Sequence, residues 1–286
     1  MGQHDCNRRP ALGASTGNLS RTMTRRTAPR SVSIQSTLRT GDLAGIPVSR
    51  TTLRQATDEL LDRAKTGSRP MAYRLVNSYT FALADQVHPY HHLLRNQGIN
   101  LPDGRPLVQS LNRLVPGAGD FHQVRGPSFF AECLDRGRDR GVRHFFLGGS
   151  EVLLESLVAE ASNRYPGIIV CGTYSPPFRE LTEAETTEQD QLIAAAKPDV
   201  VWVGLGTPKQ DFEAQRLSDE LGVTTAGVGA AFDFIAGTKR EAPQWVRRLS
   251  MEWCFRLLTE PRRLWRRYLF GNSRFILIVL RHRRQR

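Results

Sequence analysis

The chain has 286 residues, 40% of them hydrophobic, and a formal net charge of +12. That length can bury a sizeable core without disulfide or metal staples. The four cysteines, Cys6, Cys133, Cys171 and Cys254, form no C-x-x-C pair, which speaks against a zinc site and a disulfide framework and for a reducing compartment. No run of about 18 apolar residues occurs, so no bilayer-spanning helix is expected; the longest candidate is FILIVL at 275–280.

The charge is unevenly placed. Residues 1–38 hold six Arg against Asp5 alone, a net +5, and residues 239–286 hold 14 Lys or Arg against three Glu, a net +11. The body between them therefore carries −4. Three segments follow: a disordered basic extension at 1–38, an α/β domain at 39–237, and a basic appendage at 238–286. The extension is rich in Arg, Ser and Thr and has no apolar core of signal-peptide type, which argues against export.

From about residue 72 short apolar runs alternate with amphipathic segments bounded by Gly and Pro. That is the pattern of βαβ units and a mostly parallel, Rossmann-like sheet with helices on both faces. Strands are predicted at 73–78, 98–102, 143–148, 167–174, 199–206 and 224–229. Helices are predicted at 79–96, 127–140, 151–164, 182–196 and 209–221. A cut after about Ala236 should leave this body folded.

Candidate site residues gather where predicted strands end. Asp103, in LPDG (101–104), can act as a general base or serve as a turn aspartate. Asn77 can orient a sugar hydroxyl or serve as a strand-terminating cap. Gly148 ends one predicted strand with Gly149 just beyond it, and Gly206 ends another, so each can bring backbone close to phosphate or merely turn the chain. Lys209 and Gln210 stand at the start of the next predicted helix, suited to a sugar diphosphate. Asp233, in GVGAAFDFIAG (227–237), can bind ribose or sugar hydroxyls or be a structural carboxylate. There is no Walker A lysine motif and no complete G-x-G-x-x-G, which disfavours classical nucleotide hydrolysis and dinucleotide binding. His88, His91 and His92 read as surface helix residues, and no metal or cofactor is expected.

The ordered series NSYTFALA, LPDG, FFLGG, YPG, KPDVVWVGLGTPKQD, GVGAAFDFIAG, APQW and MEWCFRLLTEPRRLWRRYL resembles the WecG/TagA/CpsF glycosyltransferases over about residues 72–271. The resemblance implies inverting transfer from a UDP-sugar donor to a polyprenol-diphosphate-linked acceptor without a metal site. It makes Asp103 the catalytic base, Asn77 the sugar-site asparagine, and Gln210 and Asp233 the polar residues of the two loops. It also brings arginines of 256–267, among them Arg256, Arg263, Arg266 and Arg267, to the diphosphate at the membrane. Three positions depart from the family pattern: Leu75 stands where Thr is common, Glu241-Ala242-Pro243 stands for Arg-Ala-Pro, and Gln123 replaces an arginine, with Arg125 close by. These departures bear on the sugar more than on the reaction.

In the appendage Trp245, Trp253, Trp265 and Tyr268 alternate with Arg pairs at roughly helical spacing, divided by Pro261. This reads as a basic amphipathic helix for an anionic membrane surface, or as a solvated helix face. The expected location is cytoplasmic, peripheral on the inner face of the cell membrane. The rival readings are a nucleic-acid-binding protein, since an Arg-rich end also suits a phosphate backbone, and an inactive membrane-attached scaffold. Neither accounts for LPDG beside GLGTPKQ, so no nucleic-acid partner is expected; homo-oligomerisation stays open.

Overall fold

Helices and strands alternate around a six-stranded sheet in which every neighbouring pair is parallel. The computed structural model describes residues 38–284 except 67, 118, 244 and 247–251, and gives the backbone alone for 252, 253, 256, 262–264 and 266–270. The N-terminal extension, apart from Leu38, lies outside the described residues.

A hairpin comes first, β1 (Thr40–Leu43) and β2 (Ile46–Ser49), closed by Ala44 and Gly45 at φ 55° and 80°. Both central residues in the left-handed region match the twist of an antiparallel pair. Helix α1 (Leu53–Lys65) starts on a capping box in which the Thr52 hydroxyl accepts from the Gln55 N–H and the Gln55 side chain accepts from the Thr52 N–H. The sheet strands are β3 (Ala72–Val76), β4 (Ile99–Pro102), β5 (Arg143–Leu147), β6 (Ile169–Tyr174), β7 (Val200–Val203) and β8 (Thr224–Gly227), in the order β4-β3-β8-β7-β5-β6. The helices between them are α2 (Ser78–Ala84), α3 (His88–Asn96), α4 (Arg105–Leu114), α5 (Gly126–Gly137), α6 (Glu151–Arg164), α7 (Glu183–Ala196), α8 (Lys209–Glu220) and α9 (Ala231–Ile235). The chain ends in α10 (Glu252–Thr259) and α11 (Pro261–Arg284).

All six predicted strands are present, with ends shifted by a few residues. The single helix expected at 79–96 is instead two, α2 and α3. Pro89 explains the break: without an N–H it cannot donate to the carbonyl four residues earlier, so the chain restarts from an extended Val87. The hairpin, α1, α4 and α9 had no counterpart among the predicted elements.

Side chains of period two cover both faces of the sheet. Phe145, Leu147, Val201 and Val203 pack with Ile193 of α7 and Ala214 and Leu217 of α8. Their alternates, Phe146 and Trp202, meet Phe129 and Phe130 of α5 and Phe232 of α9 in ring contacts of 4.9–6.1 Å. His144 shares that second face, buried, where its Nδ1 accepts the Trp202 indole N–H at 3.0 Å. A further core lies at the β4 end, where the hairpin, α2, α3 and α4 meet Phe275 and Ile278 of α11. The compositional boundary at 237/238 is thus crossed by apolar packing, with the Phe275 ring edge-on to Phe81 at 5.9 Å.

Phe275→Ala should lower the unfolding free energy by about 3 kcal/mol, the usual cost of emptying an aromatic core site, as read by urea denaturation. Burial pushes the His144 imidazole down to about 4. A depressed folded-state value means that this histidine's stability contribution is complete above its unfolded value near 6.5 and is lost as pH falls toward 4. Acidification over that window should cost about 3 kcal/mol at this residue. His144→Gln, which keeps an acceptor for Trp202, should flatten that part of the stability-against-pH curve.

Candidate active site

In a parallel sheet the chain leaves every strand at the same edge, so the loops after β3, β4, β5, β7 and β8 share one rim. Asp103 follows β4, Asn77 follows β3, Gly148 follows β5, Gly204 follows β7, and Val228 and Gly229 follow β8. Register adds a step to that rim. Gly227 lies level with Val203 and with Arg74, whereas β3 and β4 run on together to Val76 and Pro102. At about 3.3 Å per residue, Asn77 and Asp103 stand roughly 7 Å beyond the level of the glycine loops.

The wall of this step is close-knit. The Asp103 N–H donates to the Val76 carbonyl at 2.7 Å, and a Cβ on Gly104 would lie 3.7 Å from the Asn77 Cβ. Gly104 has φ 99° and begins α4, so LPDG is both a turn and the end of a strand. Asn77 is likewise a helix cap. Its Oδ1 accepts from the Tyr79 and Thr80 N–H groups at 3.1 and 3.2 Å, while its Nδ2 makes no hydrogen bond among the described residues.

The floor is built by glycine because backbones touch there. A Cβ on Gly148 would meet the Gly204 backbone at 2.8 Å, and one on Gly204 would meet the Phe232 ring at 2.7 Å. The Gly149 carbonyl accepts the Ser175 hydroxyl at 2.7 Å. Gly206, at φ 79°, faces open space, which leaves room for a ligand against its backbone.

Gln210 is more buried than its sequence position suggested. At 4% exposure, its Oε1 accepts the Gly206 N–H at 3.1 Å and lies 3.2 Å from where a Gly229 Cβ would stand. Its side chain thus bonds the β7 loop and packs against the β8 loop. Lys209 points elsewhere: its ammonium donates to the Arg179 carbonyl at 3.1 Å, at an exposed position. Beneath Gln210, the Tyr90 hydroxyl donates to Asp211 at 2.5 Å, and fully buried Arg74 bonds Gln215 and the Gln97 carbonyl. Burial, and then the Asp211 carboxylate, raise the Tyr90 phenol well above its ordinary range, so it remains a donor.

Asp233 is held by the turn that follows it. Lys239 pairs with it at 3.4 Å and with Glu260, at the α10–α11 junction, at 3.0 Å. Arg125 pairs with Glu241 at 3.4 Å and stands over the Phe234 ring at 5.8 Å. Lys239 escaped the sequence reading, since nothing in its local spacing marks it. Arg256, Arg263, Arg266 and Arg267 belong to α10 and α11 by backbone, and their side chains lie outside the described residues. A cavity of about 690 Å³ along α1, reaching Arg50, Asp62 and Asp120, contains none of the candidate residues.

The profile of the Glycosyl transferase WecG/TagA/CpsF family matches residues 41–286. The chain belongs to this family. It is therefore a glycosyltransferase, as the motif series implied. One relative, the N-acetylglucosaminyldiphosphoundecaprenol N-acetyl-beta-D-mannosaminyltransferase of Bacillus spizizenii, is 31% identical over 196 residues, 68% of this chain and 73% of the relative. The protein of that name from Bacillus subtilis is 30% identical over 69% of this chain and 74% of its own. The Staphylococcus aureus one is 25% identical over 79% and 87%.

In this glycosyltransferase Gln210→Ala removes the acceptor of the Gly206 N–H. Losing a partly buried hydrogen bond worth about 0.5–1.5 kcal/mol leaves the Gly206 loop without its fixed place, so the KM for the sugar substrate should rise about 2- to 10-fold in initial-rate assays. Unchanged kinetics would mean that the loop serves only to turn the chain.

Proposed function

We propose that the protein transfers a sugar, with inversion, from a UDP-sugar to a polyprenol-diphosphate-linked saccharide in the synthesis of a cell-surface polysaccharide. The observation that carries this reading is the shared rim: a carboxylate and an amide on its wall, glycine backbones on its floor. With strands about 4.8 Å apart, the four strand intervals from Asp103 to Gly148 span roughly 19 Å. That suits a nucleoside diphosphate sugar lying along the edge with the acceptor hydroxyl at the Asp103 end. The activity for which those relatives are named favours N-acetylmannosamine as the sugar and an N-acetylglucosamine-bearing diphosphoundecaprenol as the acceptor. Its uronic acid and glucuronic acid are the other donors that the departures at Leu75 and Glu241 bring into question.

In the proposed reaction Asp103 takes the proton of the acceptor hydroxyl as its oxygen attacks the anomeric carbon from the face opposite the leaving group. The bond from that carbon to the diphosphate breaks, a glycosidic bond of inverted configuration forms, and UDP departs with the electron pair. Asn77 orients a sugar hydroxyl through its amide. The diphosphate lies against the glycine loops, where Gly206 leaves room for it, and the arginines of α10 and α11 offset its growing charge, for which a planar guanidinium is well suited. The acceptor's lipid places the enzyme on the inner face of the cell membrane. No helix among the described residues is long and apolar enough to cross one.

Asp103→Asn keeps the shape of the rim and removes the base. Transfer should fall by about 10²–10⁴-fold, the usual contribution of general base catalysis, while UDP-sugar affinity by calorimetry stays within a few-fold. Full turnover in this variant would remove Asp103 from the mechanism.

A further inference from the structure

We infer that Arg125 reads a carboxylate on the donor sugar, so that the sugar this chain transfers is a hexuronic acid, and that Glu241 holds the same guanidinium until the donor arrives. The inference rests on the UDP-sugar reading above and names its substrate class. It departs from the sugar in the relatives' names by a carboxylate at C6.

Backbone contacts bring Arg125 to the part of the rim where the sugar lies. The Val124 N–H donates to the Pro102 carbonyl at 2.8 Å, so the chain enters α5 beside the residue that precedes Asp103. On the other side of Arg125, a Cβ on Gly126 would lie 3.7 Å from the Leu75 side chain of β3 and 3.8 Å from the Val228 carbonyl that follows β8. Those two strands separate β4, which carries Asp103, from β7, which carries the Gly206 loop. A donor laid from Asp103 to Gly206 must put its hexose over them, because its anomeric carbon has to reach the acceptor oxygen and its diphosphate the glycine backbones.

The position has the chemistry of an anion site. A guanidinium keeps its charge at any working pH; this one has a side chain 12% exposed and stands over the Phe234 ring of α9 at 5.8 Å. Arg125 is also the N-cap of α5, whose first turn holds no acidic residue and whose cap makes no side-chain hydrogen bond among the described residues. The positive end of that helix dipole therefore adds to the charge of the side chain.

A carboxylate already meets this cation. The Glu241 Oε2 lies 3.4 Å from the Arg125 Nη1, longer than the ~2.7–2.9 Å of a close charged pair, and Glu241 is 36% exposed. Such a contact is open to exchange. A neutral hexose offers only hydroxyl oxygens, which do not offset the loss of an ion pair, whereas a uronate replaces one carboxylate by another that can approach the planar fork more closely. Glu241 is one of the departures from the family pattern, so the pair is a feature of this chain. The donor diphosphate, at Gly206, is one to two strand intervals away, roughly 5–10 Å, about the span of a hexose.

The test measures kcat/KM for UDP-glucuronate against UDP-glucose, and for UDP-N-acetylmannosaminuronate against UDP-N-acetylmannosamine. It uses the full native chain, Arg125→Gln and Arg125→Lys, with UDP affinity by calorimetry alongside. The native chain should prefer the uronate of at least one pair by about 100-fold or more, since a site built to bond a polar group rejects the analogue that lacks it. Arg125→Gln should lower uronate use about 10- to 100-fold while hexose use and UDP affinity stay within about 2-fold, and Arg125→Lys should recover part of the preference. A native chain that uses the hexose as well as its uronate overturns the inference and leaves the UDP-sugar reading standing. Equal losses with both members of a pair, or weaker binding of UDP, would assign Arg125 to the donor diphosphate and overturn it too. So would a rise confined to the KM of the acceptor, which would give Arg125 to the acceptor's diphosphate. Release of UDP from none of the four donors overturns the inference, and a native chain that also fails to bind UDP takes the UDP-sugar reading with it.

Discussion

The placement of β8 between β3 and β7 is the constraint on which the site depends. β8 enters the sheet last, with all four of its residues buried, and joins the β3–β4 pair to the β5–β6–β7 group. Because Gly227 pairs level with both Arg74 and Val203, the two groups meet with their ends offset. The wall that carries Asn77 and Asp103 and the floor of glycine backbones both follow from that offset. Burying Arg74 in β3 under this junction would be costly for an unpaired charge. Gln215 and the Gln97 carbonyl bond it, and Asp211 is the largest favourable charge acting on it. The same network ties α8, and with it Gln210, to β3.

Around the mouth, cations are held by carboxylates on neighbouring elements. Lys239 joins Asp233 of α9 to Glu260, and Arg125 joins α5 to Glu241. These pairs are partly exposed, where each is worth little in stability. Their effect is one of place: they hold the chain between α9 and the final helices against the rim.

The final helix serves two surfaces at once. Apolar and ionic contacts on one side make it part of the body that supports α2 and its cap, Asn77, while its other side leaves Ile276, Leu277 and Leu280 in contact with solvent. A compositional reading of 238–286 sees only the summed charge and the aromatic spacing. It does not separate the buried members of FILIVL from the exposed ones.

The sequence by itself determined the sheet, the family and the rim residues. Short apolar runs such as VVWV, bounded by turn signals and alternating with helical segments, suit strands buried on both faces of a parallel sheet, and the Gly and Pro signals around them mark loops at strand ends, where Asp103, Asn77 and Gly148 lie. It did not show that Gln210 turns inward to Gly206, that Lys209 turns out to Arg179, or that Lys239 reaches Asp233. Each of those outcomes depends on partners distant in sequence or on the direction a side chain takes from its helix, which local spacing leaves open. The split of 79–96 at Pro89 was legible from the lack of an N–H alone. The burial of Phe275 and Ile278 was not, because which side of an amphipathic helix is covered depends on a neighbour nearly 200 residues earlier in the chain, and only tertiary packing brings that neighbour to it.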